Sequence, residues 1–299
     1  MQLIDFLSSN PAAFLAFITV VGLMVGSFLN VVIYRLPIML ESEWKSQCQL
    51  LLNDNDPDAS LDISAPHPEK FNLLYPNSHC PGCAASVRAW QNIPVLSYVL
   101  LKGKCANCKT TISVRYPIVE LTTGILSLSV AWYFGFSWQT AGMLALTWSL
   151  IALTMIDFDH QLLPDNITLP LLWLGLLLNT AGVFCNLSDA VWGAALGYLS
   201  LWSIYWLFKL ITGKEGMGYG DFKLLAVLGA WFGWQILPIV ILLSSLVGAV
   251  VGIALVILRN RGKDIPIPFG PYLATAGWIA AIWGNQLTEA YFRFSGLTS

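Results

Sequence analysis

Long apolar runs separated by short polar connections recur along the chain, and a helix needs about 20 apolar residues to cross a bilayer. The first run covers Ala12 to Tyr34 and is followed by a polar segment from Arg35 to Arg115. Further runs extend from Pro117 to Phe136, Trp138 to Ile156, Leu162 to Phe184 and Ala190 to Ile211. The stretch from Phe222 to Leu258 is too long for one crossing and divides at Gly233 and Pro238, both helix-breaking residues. A last run spans about Phe269 to Thr288. The pattern predicts an all-α polytopic membrane protein of about eight transmembrane helices, with a loop domain between the first and second. Residues 1–34 form the first transmembrane segment, 35–115 a soluble domain, and 116–299 a membrane-embedded domain of about seven helices.

Composition agrees: 56% of the 299 residues are apolar and 11% are charged, against roughly 25% charged in soluble domains. Nothing in the charge distribution suggests nucleic-acid binding; the expected surroundings are membrane lipid. The opening Met-Gln-Leu-Ile-Asp-Phe lacks a basic signal-like region, so the first run reads as a retained helix.

Charge placement orients the helices. The segment from Arg35 to Arg115 carries eight Lys and Arg, which the positive-inside rule assigns to the cytoplasm. Alternation then makes the connections 157–161, 209–223 and 259–263 cytoplasmic and both termini periplasmic. Every Lys and Arg except Arg293 falls inside. Asp157 and Asp221 thereby reach the same cytoplasmic face.

Carboxylates at membrane depth are costly and mark functional sites. Two carboxyl groups in contact cannot both ionise, so they share a proton, as aspartyl proteolysis requires. Before Asp221, Gly216, Gly218 and Gly220 omit side chains at alternate positions, which suits close approach of an extended substrate; the alternative is a loop in which Asp221 caps the following helix. Of the acids near Asp157, Asp159 lies two residues on and faces away, and Asp165 reads as the N-cap of the next helix. His160 reads as a hydrogen-bonding or headgroup-facing residue and Lys223 as an interfacial charge. No H-E-x-x-H or G-x-S-x-G motif is present. A cation transporter with relaying carboxylates and a partner-binding scaffold are the competing classes.

Cys80, Cys83, Cys105 and Cys108 form C-x2-C-x21-C-x2-C, the spacing of a four-cysteine zinc site. Four thiolates close the coordination sphere, so such a zinc is structural. Disulfides are the alternative, disfavoured in a reducing compartment. Cys48 and Cys185 read as ordinary residues, and the apolar Trp90–Tyr98 stretch as packing on the metal module or the membrane. The acidic stretch from Asn53 to Asp62 reads as a solvated loop.

Together, Gly26-Ser-Phe-Leu-Asn-Val-Val-Ile-Tyr-Arg-Leu-Pro37, the two cysteine pairs, Ile112 to Glu120, Ile156 to Asp165, Gly218 to Lys223 and Pro266 to Pro271 resemble the type IV prepilin peptidases. These are bifunctional leader peptidases and N-methyltransferases of bacterial inner membranes. The family's G-x-G-D motif falls on Gly218, Gly220 and Asp221, and its other catalytic aspartate on Asp157. The resemblance implies cleavage of a basic leader from prepilins and type II secretion pseudopilins at the cytoplasmic face. Methylation of the new N-terminus by S-adenosylmethionine is then expected, with zinc tied to the cytoplasmic domain; the acidic 53–62 stretch is an alternative dock for the leader. No methyltransferase residue is assigned.

Overall fold

The protein was analysed as a computed structural model that describes residues 2–55, 71–259 and 268–295. Most of the acidic 53–62 stretch, and Arg261, Lys263 and Pro266, lie outside these residues. Ten α-helices and no strand are described: α1 Gln2–Ser9, α2 Pro11–Asn55, α3 Leu96–Leu100, α4 Arg115–Phe134, α5 Trp138–His160, α6 Asp165–Thr180, α7 Leu187–Thr212, α8 Tyr219–Phe232, α9 Leu237–Arg259 and α10 Gly270–Ser295. The eight apolar runs coincide with α2 and α4 to α10. Among the described residues, five helices, α2, α4, α5, α7 and the stretch containing α9, are long and apolar enough to cross a membrane.

Two boundaries differ from the sequence reading. α2 continues through Pro37 to Asn55 instead of ending near Tyr34, because beyond the apolar run no residue but Pro37 opposes a helix, and Lys45 pairs with Glu41 one turn back at 2.7 Å. Asp165 is not an N-cap. Pro164 holds that position in an extended conformation, and Asp165 is the first helical residue, where its charge favours the helix N-terminus. The expected break at Gly233 is present: this residue has φ +84°, and a short 3-10 turn, Trp234–Ile236, precedes α9.

The chain divides into two compact units, Met1–Phe14 with Ser129–Ser299, and Leu15–Leu128. The first is organised around α8. At 14 residues this helix is about 21 Å long, short of a roughly 30 Å hydrocarbon core, and beyond Lys223 it is apolar all round, as a helix enclosed by others should be. Phe222, Leu224, Leu225, Val227, Leu228 and Trp231 are all fully buried. α7 meets α8 through Gly193-x-x-x-Gly197, whose missing side chains let the backbones touch near Gly229 and Leu225. On α6, Gly175 makes room for the Trp231 indole, which donates to the Leu171 carbonyl at 2.8 Å. Asn179 donates to the carbonyls of Ala230 and Trp231, both at 2.9 Å, and accepts from the N–H groups of Phe184 and Cys185.

In the second unit, Gly22 and Gly26 of α2 seat against Ser127, Gly124 and Glu120 of α4. The buried Glu120 carboxylate accepts from the Val95 N–H at 2.7 Å. Arg35, also buried, donates to the carbonyls of Asn72 and Pro76 at 2.9 and 2.5 Å and lies over the Phe71 ring. In the Trp90–Tyr98 stretch, Trp90, Ile93 and Leu96 are not covered by the protein and stay about half exposed.

Candidate functional site

Three helix ends of the first unit converge. α5 carries Asp157 in its last turn and closes on Gln161 in the left-handed conformation, whose N–H returns to the Asp157 carbonyl. The connection to α6 then turns inward, burying Leu163. α8 begins after Gly218, its N-cap, which places Asp221 at the third helical position. Asp221 is therefore within the first turn and not the cap itself.

Both carboxylates are buried, Asp157 at 5% and Asp221 at 7% exposure, and each lies within the other's electrostatic reach. The third end is that of α10, where the Gly270 N–H donates to Asp157 Oδ2 at 3.0 Å. Leu163 stands between the parts. A β-carbon at Gly220 would come 2.7 Å from Leu163 Cβ, and one at Gly270 would come 3.2 Å from its Cδ2. A side chain at either glycine would push the aspartate-bearing segments apart.

The other polar residues near the motif are separated from this pair. Asp159 and His160 are exposed on the outer side of the α5 end. Lys223 pairs with Asp165, its Nζ lying 2.7 and 2.8 Å from the carboxylate oxygens and tying α8 to α6. Lys209 donates to Glu215 at 2.8 Å and to the Tyr205 hydroxyl at 3.2 Å, which anchors the loop before Gly216. Gly270, Leu163 and Asn179 were not singled out by sequence reasoning. The signal for Gly270 was its place in Pro266 to Pro271, one of the segments that carry the family resemblance.

The four predicted cysteines of the second unit come together, with every Sγ within 4.8 Å of the others. None forms a disulfide. The pairs are built alike. Cys80 N–H bonds to the Ala85 carbonyl and Cys105 N–H to that of Thr110, Ala84 and Lys109 both turn back in the left-handed conformation, and short bridges, His79 with Ser86 and Lys104 with Thr111, flank the two turns. The Thr110 hydroxyl, 3.1 Å away, leads in pushing the Cys108 thiol down to about 6. Cys80 goes the other way, to about 11: the Gly82 N–H favours its thiolate, but burial and the thiols of Cys105 and Cys108 outweigh that. Four sulfurs so spaced fit one tetrahedral ion, since Zn–S bonds of about 2.3 Å place sulfurs about 3.8 Å apart. Cys48 and Cys185 lie outside this group.

Comparison with known proteins matches residues 20–134 to the bacterial peptidase A24 N-terminal domain and residues 144–253 to the type IV leader peptidase family. The chain is 58% identical to a protein of Stutzerimonas stutzeri over 99% of its length and all of the relative's. It is 57% identical to one of Pseudomonas aeruginosa over 99% of both chains, and 52% identical to one of Neisseria gonorrhoeae over 87% of both. All three bear the name prepilin leader peptidase/N-methyltransferase. No solved structure matches.

Proposed function

The chain belongs to the type IV leader peptidase family, and we propose on that footing that Asp157 and Asp221 together cleave the leader from prepilins and from the related pseudopilins of type II secretion. The observation that carries the assignment is the burial of both carboxylates within each other's field, at the meeting of α5, α8 and α10.

Cleavage requires a nucleophile and an acid at one peptide bond. One ionised carboxylate removes a proton from a water molecule as its oxygen bonds to the scissile carbonyl carbon. The protonated partner gives its proton to the carbonyl oxygen. The tetrahedral intermediate then collapses: the C–N bond breaks, the departing nitrogen takes the proton first removed from water, and the second carboxylate recovers its own from a hydroxyl. The pair ends as it began. Burial serves this chemistry, because a low-dielectric surrounding strengthens the interaction of the two groups with developing charge.

The enzyme then methylates the exposed amino group, with S-adenosylmethionine as the donor. Cys80, Cys83, Cys105 and Cys108 would hold a zinc ion, whose closed four-thiolate shell stabilises a small module and leaves no position for a reacting water. The apolar helices support placement in the bacterial inner membrane. The positive-inside distribution of Lys and Arg supports a cytoplasmic dyad, a cytoplasmic cysteine module in the 35–115 domain and periplasmic termini.

Asp157→Asn and Asp221→Asn are the direct test. Each should abolish release of the leader, read by mass spectrometry of a prepilin incubated with the purified protein, while leaving methylation of an already cleaved pilin intact. Normal cleavage by either variant would exclude the dyad.

A further inference from the structure

We propose that Gly270 is a positioning residue of the peptidase centre: its backbone N–H holds Asp157 in its working orientation, and its lack of a side chain is what lets the carboxylate lie there. The inference rests on the assignment of Asp157 and Asp221 as the cleaving pair.

Asp157 stands in the last turn of α5, where its main-chain carbonyl is already engaged by Gln161. Nothing in α5 itself orients the side chain. That orientation is supplied by a donor 113 residues away in sequence, the Gly270 N–H, which meets Oδ2 at 3.0 Å in a buried setting. Gly270 opens α10. The first N–H groups of a helix have no partner within it and carry the positive end of its dipole, so they favour a carboxylate. With Oδ2 engaged in this way, Oδ1 remains as the oxygen available for proton exchange.

The position tolerates no side chain. A β-carbon at residue 270 would come 2.6 Å from Oδ2 and 3.1 Å from Cγ of Asp157, and 3.2 Å from Leu163 Cδ2. Contacts under 3 Å force movement, and two of these three atoms belong to the proposed catalytic group. Leu163 blocks the way out, since it is itself pressed against Gly220, the residue before Asp221. A methyl group at 270 therefore displaces Asp157 relative to Asp221 and leaves the rest of α10 in place. Misplacing a catalytic group by about 1 Å can cost about 100-fold in rate.

The test compares Gly270→Ala with Gly277→Ala. Both lie on α10 and both close a tight approach, but the side chain met by residue 277 is Leu228, two turns along α8 from Asp221 and not a member of the dyad. Cleavage kinetics on a purified prepilin, and methylation of an already cleaved pilin, are measured for each. Gly270→Ala should lower kcat for cleavage about 100-fold with KM and methylation unchanged, and adding Leu163→Ala should restore part of the loss by opening space. Gly277→Ala should retain most of its kcat. Wild-type kcat in Gly270→Ala, or an equal fall in both variants, would overturn the positioning role. These results are separable from failure of the dyad itself, which is read from Asp157→Asn: if that variant cleaves, the dyad assignment is wrong whatever Gly270→Ala does.

Discussion

Gly193 of α7 and Gly229 of α8 meet backbone against backbone: a β-carbon on either would fall on the other's carbonyl group. Main chain cannot give way as a flexible side chain can, so this contact fixes how deeply α8, and with it Asp221, sits in the first unit. Gly193→Val should lower the melting midpoint in detergent sharply and reduce cleavage in proportion to the folded fraction. Gly248→Ala is the control. Its added carbon would meet Tyr272 at an ordinary 3.4 Å and should change the midpoint little. A tolerated Gly193→Val would show that the two helices can separate without losing the fold.

Gly220 and Leu163 give a prediction about spacing within the site. Overpacking a tight site costs about 1–3 kcal/mol, so Gly220→Ala should cut kcat/KM for cleavage roughly 10- to 100-fold. Leu163→Ala removes the atoms in the way beyond Cβ. The double variant should recover part of the activity, a non-additivity that kinetic measurement on all three variants would detect. Strictly additive losses would mean that the two residues do not act on each other.

The Lys223–Asp165 pair predicts a smaller effect. Its side chains are 29% and 50% exposed, and ion pairs of that kind contribute about 0.2–1 kcal/mol. Asp165→Asn should shift thermal stability slightly and leave most of the cleavage activity, with the shift shrinking at high salt as screening grows. A complete loss of cleavage in Asp165→Asn would assign this residue a direct part in the chemistry.

The likeness of the two cysteine turns predicts equal dependence on each. Cys80→Ser and Cys105→Ser should both release zinc, measured by elemental analysis of purified protein, and a strong chelator should do the same to the unmodified enzyme. Stoichiometric zinc retained in either variant would exclude a four-cysteine site.

Much of this architecture can be read from the residues alone, and the parts that cannot share a cause. Apolar runs locate α2 and α4 to α10, because lipid requires long unbroken apolar helices. The cysteine cluster is legible from its spacing, since both pairs form the same local turn. The extension of α2 beyond Arg35 escaped because that part is amphiphilic at best and shows no apolar run. Asp165 was misplaced by one position, because Pro164 took the N-cap that an acidic residue usually fills. Gly270 was invisible as a partner of Asp157. The bond is made by its main chain, across 113 residues, and a backbone donor leaves no mark on local composition.

Asn179 has a bearing on how this sequence can change. Its amide grips the carbonyls of Ala230 and Trp231 and the N–H groups of Phe184 and Cys185, all main-chain atoms. Those four bonds do not depend on which side chains their positions carry, although the amide also donates to Cys185 Sγ at 3.3 Å. Those side chains can drift, within the limits of their own packing, while Asn179 cannot: Asp lacks the donor and Gln is one carbon too long. In a saturation-mutagenesis map of the enzyme, position 179 should stand out as intolerant beside Phe184, while Ala230 and Trp231, both fully buried, are held by their own packing.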